Sequence, residues 1–172
     1  MFGRPLRLAA GLSAALLAML PGAAIAAAAR ATGSATVDLL SPLTIQKLQD
    51  LDFGTVAVTT AGTAVVDPVA NSVSTTGGLV AAGGTPHAAL FRGAASQNSV
   101  VNIKLPKQPI TLTRVGGTQT VTVSNFTLDG PTKRQMGQAT TFDIRVGATL
   151  TVPAGQTAGQ YIGTFDVTAQ YP

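Results

Sequence analysis

The chain has no cysteine, no tryptophan and no glutamate, a single histidine, and charged residues at only 10% of its 172 positions. Without cysteine there is neither a disulfide nor a lipid-modified cysteine, so the fold must be held by packing. One histidine and no cysteine leave a zinc site without ligands. Asp50 and Asp52 are close, yet they lack the acidic spacing and glycine of a calcium loop. No G-x-G-x-x-G or Walker-type loop is present to cradle phosphate. General acid–base chemistry wants a carboxylate pair or a histidine, and nucleophilic chemistry wants a Ser or Cys beside a base. His87, following Thr85-Pro86, reads as an exposed loop histidine. Asp52-Phe53-Gly54 spells a kinase metal motif without any companion motif and is a chance match. The sequence therefore argues against an enzyme, and no metal or cofactor is expected.

The first residues supply an address. Arg4 and Arg7 make a positive start, Leu8 to Leu20 is an apolar stretch, and Pro21-Gly22 breaks it. Ala24-Ile25-Ala26 fits the small-x-small cleavage rule, so 1–26 reads as a signal peptide for the Sec route. The stretch is too short for a comfortable membrane span, and no other apolar span follows. Removing 26 of the 172 residues leaves 146, one domain in size. The expected location is the periplasm, the outer surface or a fimbrium. Two of the eleven basic residues leave with the signal, so nine remain against seven acidic ones. They are scattered, with Lys133-Arg134 the one adjacent pair, and a nucleic-acid partner is not expected.

Thr, Val, Ala and Gly dominate the rest, a composition suited to strands and turns and poor for helices. Short alternating runs between Gly, Pro, Asn and Asp predict an all-β antiparallel sandwich or barrel. The predicted strands are Ala35–Leu40, Leu43–Leu48, Asp52–Val58, Thr63–Val66, Ala88–Arg92, Val100–Leu105, Ile110–Arg114, Thr120–Leu128, Thr141–Val152 and Tyr161–Tyr171. In Thr141–Val152 the residues Phe142, Ile144, Val146, Ala148, Leu150 and Val152 share one face. In Thr120–Leu128 the apolar phase slips between Val123 and Phe126, which predicts a β-bulge near Ser124-Asn125. Thr76–Pro86 is glycine-rich and reads as a long loop, and Gln46–Asp50 is the one stretch with the look of a helical turn. Asn125-Phe126-Thr127 fits a glycosylation acceptor, a three-residue match that carries no weight on its own.

Tyr161, Gly163, Phe165, Val167, Ala169 and Tyr171 share one face of the last run, against Ile162, Thr164, Asp166, Thr168 and Gln170. With Gly159 ahead of it and Tyr171 penultimate, this run resembles the C-terminal assembly strand of bacterial pilus subunits. Other pieces fall in order before it: Leu51-Asp52-Phe53-Gly54, Gly62–Pro68, Gly77-Gly78, Ala88–Phe91, Val101–Pro106 and Val146–Pro153. Together they resemble a family of small exported Gram-negative β-domains of unknown function, akin to fimbrial subunits. The resemblance implies an immunoglobulin-like, pilin-like sandwich (51–172) whose partners are like subunits and a periplasmic chaperone and usher. Its function would be that of a structural fibre subunit joined by β-strand complementation, in which main-chain hydrogen bonds give affinity and side-chain pockets give specificity. The assembly strand would be Gly159, Tyr161, Gly163, Phe165, Val167, Ala169 and Tyr171. Within the segment 27–50, Ala31, Gly33, Ala35, Val37 and Leu39 alternate with polar residues and form a candidate donor strand. Alternation alone leaves open whether that segment pairs in its own sheet or in another copy's. A self-contained adhesive or carbohydrate-binding module is the alternative; it would need exposed aromatics, which this composition does not favour.

Overall fold

The computed structural model describes residues 30–172. The signal peptide read at 1–26 lies outside the described residues. Asp38–Pro172 forms one compact unit. Residues 30–37 belong to a separate unit.

The compact unit is an all-β antiparallel sandwich of eleven strands: β1 (Thr44–Gln49), β2 (Thr55–Asp67), β3 (Ser72–Gly83), β4 (Ala89–Ala94), β5 (Val100–Lys104), β6 (Ile110–Arg114), β7 (Thr120–Leu128), β8 (Lys133–Gln135), β9 (Thr141–Val152), β10 (Tyr161–Ile162) and β11 (Thr168–Gln170). One sheet runs β1-β4-β9-β7-β6-β10, and the β2–β3 hairpin joins it by pairing β2 with β9. The second sheet is β11-β5-β8. Strand β9 is the spine. Its first half pairs β4, its second half pairs β2, and β7 lies along its other edge. Gly147 marks the handover from β4 to β2. A Cβ there would lie 2.1 Å from the Val66 carbonyl oxygen and 2.6 Å from the Pro68 ring, so only glycine lets the strands close.

The predicted alternation of β9 holds: Ile144, Val146, Ala148, Leu150 and Val152 are buried. They feed two clusters. Ala64, Leu79, Val121 and Val123 pack with Ala148, Leu150 and Val152, while Ala89, Phe91 and Ile103 pack with Ile144 and Val146. Ile103 comes from the second sheet, so this second cluster is where the two sheets meet. The other face of the large sheet carries a row of threonines in register, Thr76, Thr63, Thr151, Thr122 and Thr111, on β3, β2, β9, β7 and β6. Threonine is β-branched and polar, which suits the wetted side of a pleated surface. The Thr63 and Thr76 hydroxyls hydrogen-bond at 2.7 Å.

The bulge in β7 falls where the phase slip placed it. The register shifts between Ser124 and Thr127, and Asn125 adopts φ 51°. Other expectations need correction. Gln46–Asp50 makes no helical turn; most of it belongs to β1. Asp52–Val58 and Thr63–Val66 are largely one strand, β2, with Asp52 outside it in a bridge to His87. The run read as a loop, Thr76–Pro86, is mostly strand β3. Its glycines serve close approach: a Cβ on Gly78 would lie 2.1 Å from the Thr60 hydroxyl, and Gly77 has φ +68°. His87 is not an exposed loop histidine but half-buried, with its buried Nδ1 unpartnered. Ala35–Leu40 carries no strand, and its apolar side chains Val37, Leu39 and Leu40 are exposed. Strand β8 was not predicted; three residues are too few for alternation to show.

Candidate functional site

The stretch Tyr161–Tyr171 is not one strand. Tyr161-Ile162 pairs with β6 in the large sheet, and Thr168–Gln170 pairs with β5 in the small one. The intervening residues cross from sheet to sheet without a ladder. Gly159, at φ +148°, starts the approach where a Cβ would lie 2.6 Å from the Arg114 Nε, and that Nε donates to the Ala158 carbonyl at 2.8 Å. Gly163 permits the departure: a Cβ there would stand 2.7 Å from both the Leu112 side chain and the Thr111 carbonyl oxygen. The crossing keeps the predicted parity. Tyr161, Phe165, Val167, Ala169 and Tyr171 are half-buried, whereas Gly163 and all five residues of the opposite parity are exposed.

Each inward side chain has a definite seat. The Tyr161 hydroxyl donates to the Thr157 carbonyl at 2.5 Å and accepts from Gln156 Nε2 at 2.6 Å. Phe165 meets Phe126 at 5.1 Å between ring centroids and Phe91 edge-on at 6.1 Å, an arrangement that suits the ring quadrupoles. Val167 packs on the same cluster. Ala169 and Tyr171 pack on a third cluster of Ala95, Val101 and Met136. Phe165 and Val167 fall short of the full burial expected of them because they sit on the crossing, where no strand lies alongside.

The seam is shared with β1. Ile45 packs on the cluster that holds Phe165 and Val167, and Leu43 on the one that holds Ala169 and Tyr171. Strand β1 pairs only β4 and β11 pairs only β5, so each leaves one edge unpaired. A polar clasp closes one end. The Tyr171 hydroxyl accepts from the Ser96 N–H at 2.8 Å and donates to the Ser41 carbonyl at 2.9 Å, and the Ser41 N–H donates to the Ser96 hydroxyl. The Ser96 N–H also lowers the Tyr171 hydroxyl below the ordinary phenol value. Beside the crossing lies a recess of about 420 Å³, walled by Leu105, Phe165 and Ile110 and rimmed by Lys104, Lys107 and Asp166. Sequence reasoning missed β1 and Ser96 as parts of this seam, although the Leu43–Leu48 alternation was visible.

The donor-strand candidates Ala31, Gly33, Ala35, Val37 and Leu39 are in no strand and are exposed, Val37 to 78% and Leu39 to 88%. Elsewhere, charges pair at the surface. Arg92 makes a two-pronged contact with Asp143 at 2.7 and 2.8 Å, which lowers the Asp143 carboxyl below its ordinary value. The N–H groups of Ala70 and Val69 lower Asp67 in the same direction. Among the described residues no group of three or more His, Cys, Asp or Glu side chains is arranged to hold a metal. Among them, too, no helix is long and apolar enough to cross a membrane.

Neither a curated protein nor a solved structure matches the chain. A family model does: the one described as Domain of unknown function (DUF4402) covers residues 43–171, from just ahead of β1 to Tyr171, and the chain belongs to that family.

Proposed function

We propose that this chain is a non-catalytic structural subunit, exported through the Sec route, that joins copies of itself into a fimbria or related surface fibre by β-strand complementation. One observation carries the reading. Phe165, Val167, Ala169 and Tyr171 are only half-covered beside the unpaired edge of β11, while the alternating segment 31–39 belongs to no strand. An edge of unpaired N–H and C=O groups above apolar side chains is satisfied by an added strand, which supplies hydrogen bonds and covers alternate pockets. Ala31, Gly33, Ala35, Val37 and Leu39 of one copy would supply that strand to the next. Before assembly the same edge would be held by a strand from a periplasmic chaperone, with an usher passing subunits on.

The test uses the mature chain with Val37→Arg or Leu39→Arg. Both residues are exposed, so the monomer should remain folded and secreted while polymers disappear from size-exclusion profiles. A peptide of residues 31–39 should slow unfolding of a chain lacking that segment, because it binds the folded state alone. Monomer unfolding in the arginine variants, with no effect of the peptide, would refute the proposal.

A further inference from the structure

Among the described residues β3 carries the longest unpaired strand edge. Strand β3 pairs β2 alone, so one side of its twelve residues presents main-chain N–H and C=O groups with no partner strand. Folded proteins protect such edges with short strands, charges, proline or bulges. Four other edges here follow that practice, whereas the outer edge of Thr55–Ala61 in β2, beyond the reach of β9, is unpaired and uncharged like β3. Strand β1 carries Lys47, β8 is three residues long and includes Lys133 and Arg134, β10 has two residues, and β11 has three, with Asp166 just ahead. Strand β3 has neither charge nor proline, and no Lys, Arg, Asp or Glu occurs from Val69 to Pro86.

Its far half is also apolar on the outside. Beyond the register shift between Val58 and Gly62, Thr55–Val58 and Leu79–Gly83 form a two-stranded ribbon, with a second shift between Thr55 and Val56 that leaves Ala82 without a partner residue. Ala57 and Val80 pair on the outward face, where Val80 is 58% exposed, and Ala82 is exposed at the bulge. A lone two-stranded ribbon of this kind is marginal in water.

We infer that the β3 edge is a homotypic interface: two copies pair β3 to β3, antiparallel, about a two-fold axis through Leu79–Gly83. The occupant is a second copy for three reasons. Only another strand edge matches a row of alternating donors and acceptors. Antiparallel pairing of a strand with itself is self-complementary under two-fold symmetry. And an uncharged strand meets its own copy without the like-charge penalty that opposed charges impose. The same contact covers Val80 and Ala82. This interface is separate from the β11 edge, so it would join finished fibres or subunits side by side.

The absence of cysteine provides a clean test. Single variants Val80→Cys, Ala81→Cys and Ala82→Cys are made in the mature chain, with Val115→Cys, at a position 52% exposed on a different turn, as the reference. Residues facing one another across an antiparallel pair lie within disulfide reach. At least one β3 variant should therefore form disulfide-linked dimers on mild oxidation at least ten-fold faster, as an order of magnitude, than the Val115 reference. Adding Val80→Lys to the fastest β3 variant (or Ala82→Lys where Val80→Cys is the fastest) should abolish that excess without moving its melting temperature. Cross-linking of all three β3 variants no faster than the reference would overturn the inference, as would a rate indifferent to that added lysine. Competition of the cross-link by the 31–39 peptide would also overturn it, by assigning the edge to that segment. Because the read-out is a β3-to-β3 bond, it stands whether or not Val37→Arg abolishes polymers.

Discussion

Replacing Phe165 with alanine tests the seam directly. Complete removal of a buried phenylalanine costs about 3–5 kcal/mol. Phe165 is only half-buried, so roughly half of the transfer contribution is at stake. To that are added its ring contacts with Phe126 and Phe91, each worth about 0.5–1.5 kcal/mol. The expected loss is about 2–4 kcal/mol, or a melting temperature lower by roughly 6–16 °C for a domain of this size. Ile162, on the opposite parity and 58% exposed, should lose less than about 1 kcal/mol on the same change. Urea unfolding of monomeric protein gives both values, and a double-mutant cycle with Phe126→Ala should show a coupling of about 0.5–1.5 kcal/mol. Equal losses at Phe165 and Ile162, or no coupling to Phe126, would show that Phe165 does not bind the two sheets.

Gly147→Ala should destabilise the domain by about 1–3 kcal/mol or more, since its Cβ would press on the Val66 backbone, which has nowhere to move; a melting temperature within a degree of wild type would refute this. Asp67 and Asp143 are held below the ordinary carboxylate value of 3.8, so their stabilisation is complete above that pH and is lost as pH falls through their lower folded values. Thermal melts between pH 5 and 2, as a rough range, should show Asp67→Asn and Asp143→Asn flattening the acid decline, and an unchanged slope would exclude these carboxylates as its source.

Where one face of a strand is core and the other is wet, the sequence announced the structure. The alternation in β9 and the inward parity of Tyr161–Tyr171 were legible for that reason, and so was the β7 bulge, where an inserted residue shifts the apolar phase at Asn125. Strand β3 was not. Gly77 and Gly78 read as a flexible loop, yet they are glycines because Gly62 and Thr60 press on them from the neighbouring strand. Composition records that a side chain is missing and not what fills its place. The crossing at Gly163 was hidden for a related reason: parity continues unbroken through a change of sheet, because Phe165 and Val167 stay on the sandwich interior throughout. The Tyr171–Ser96–Ser41 clasp joins residues 75 and 130 positions apart, and no local pattern signals it.

The threonine row on the large sheet bears on how this protein behaves in changing surroundings. Most domains stay dissolved through ionised side chains, whose influence weakens as salt screens them and changes as pH moves. Here one row across five strands is wetted by hydroxyls that neither titrate over the ordinary pH range nor respond to ionic strength. Sparse charge is thus no handicap to colloidal stability there. A protein exposed to fresh water, brine or acid would keep the same hydration shell along that row.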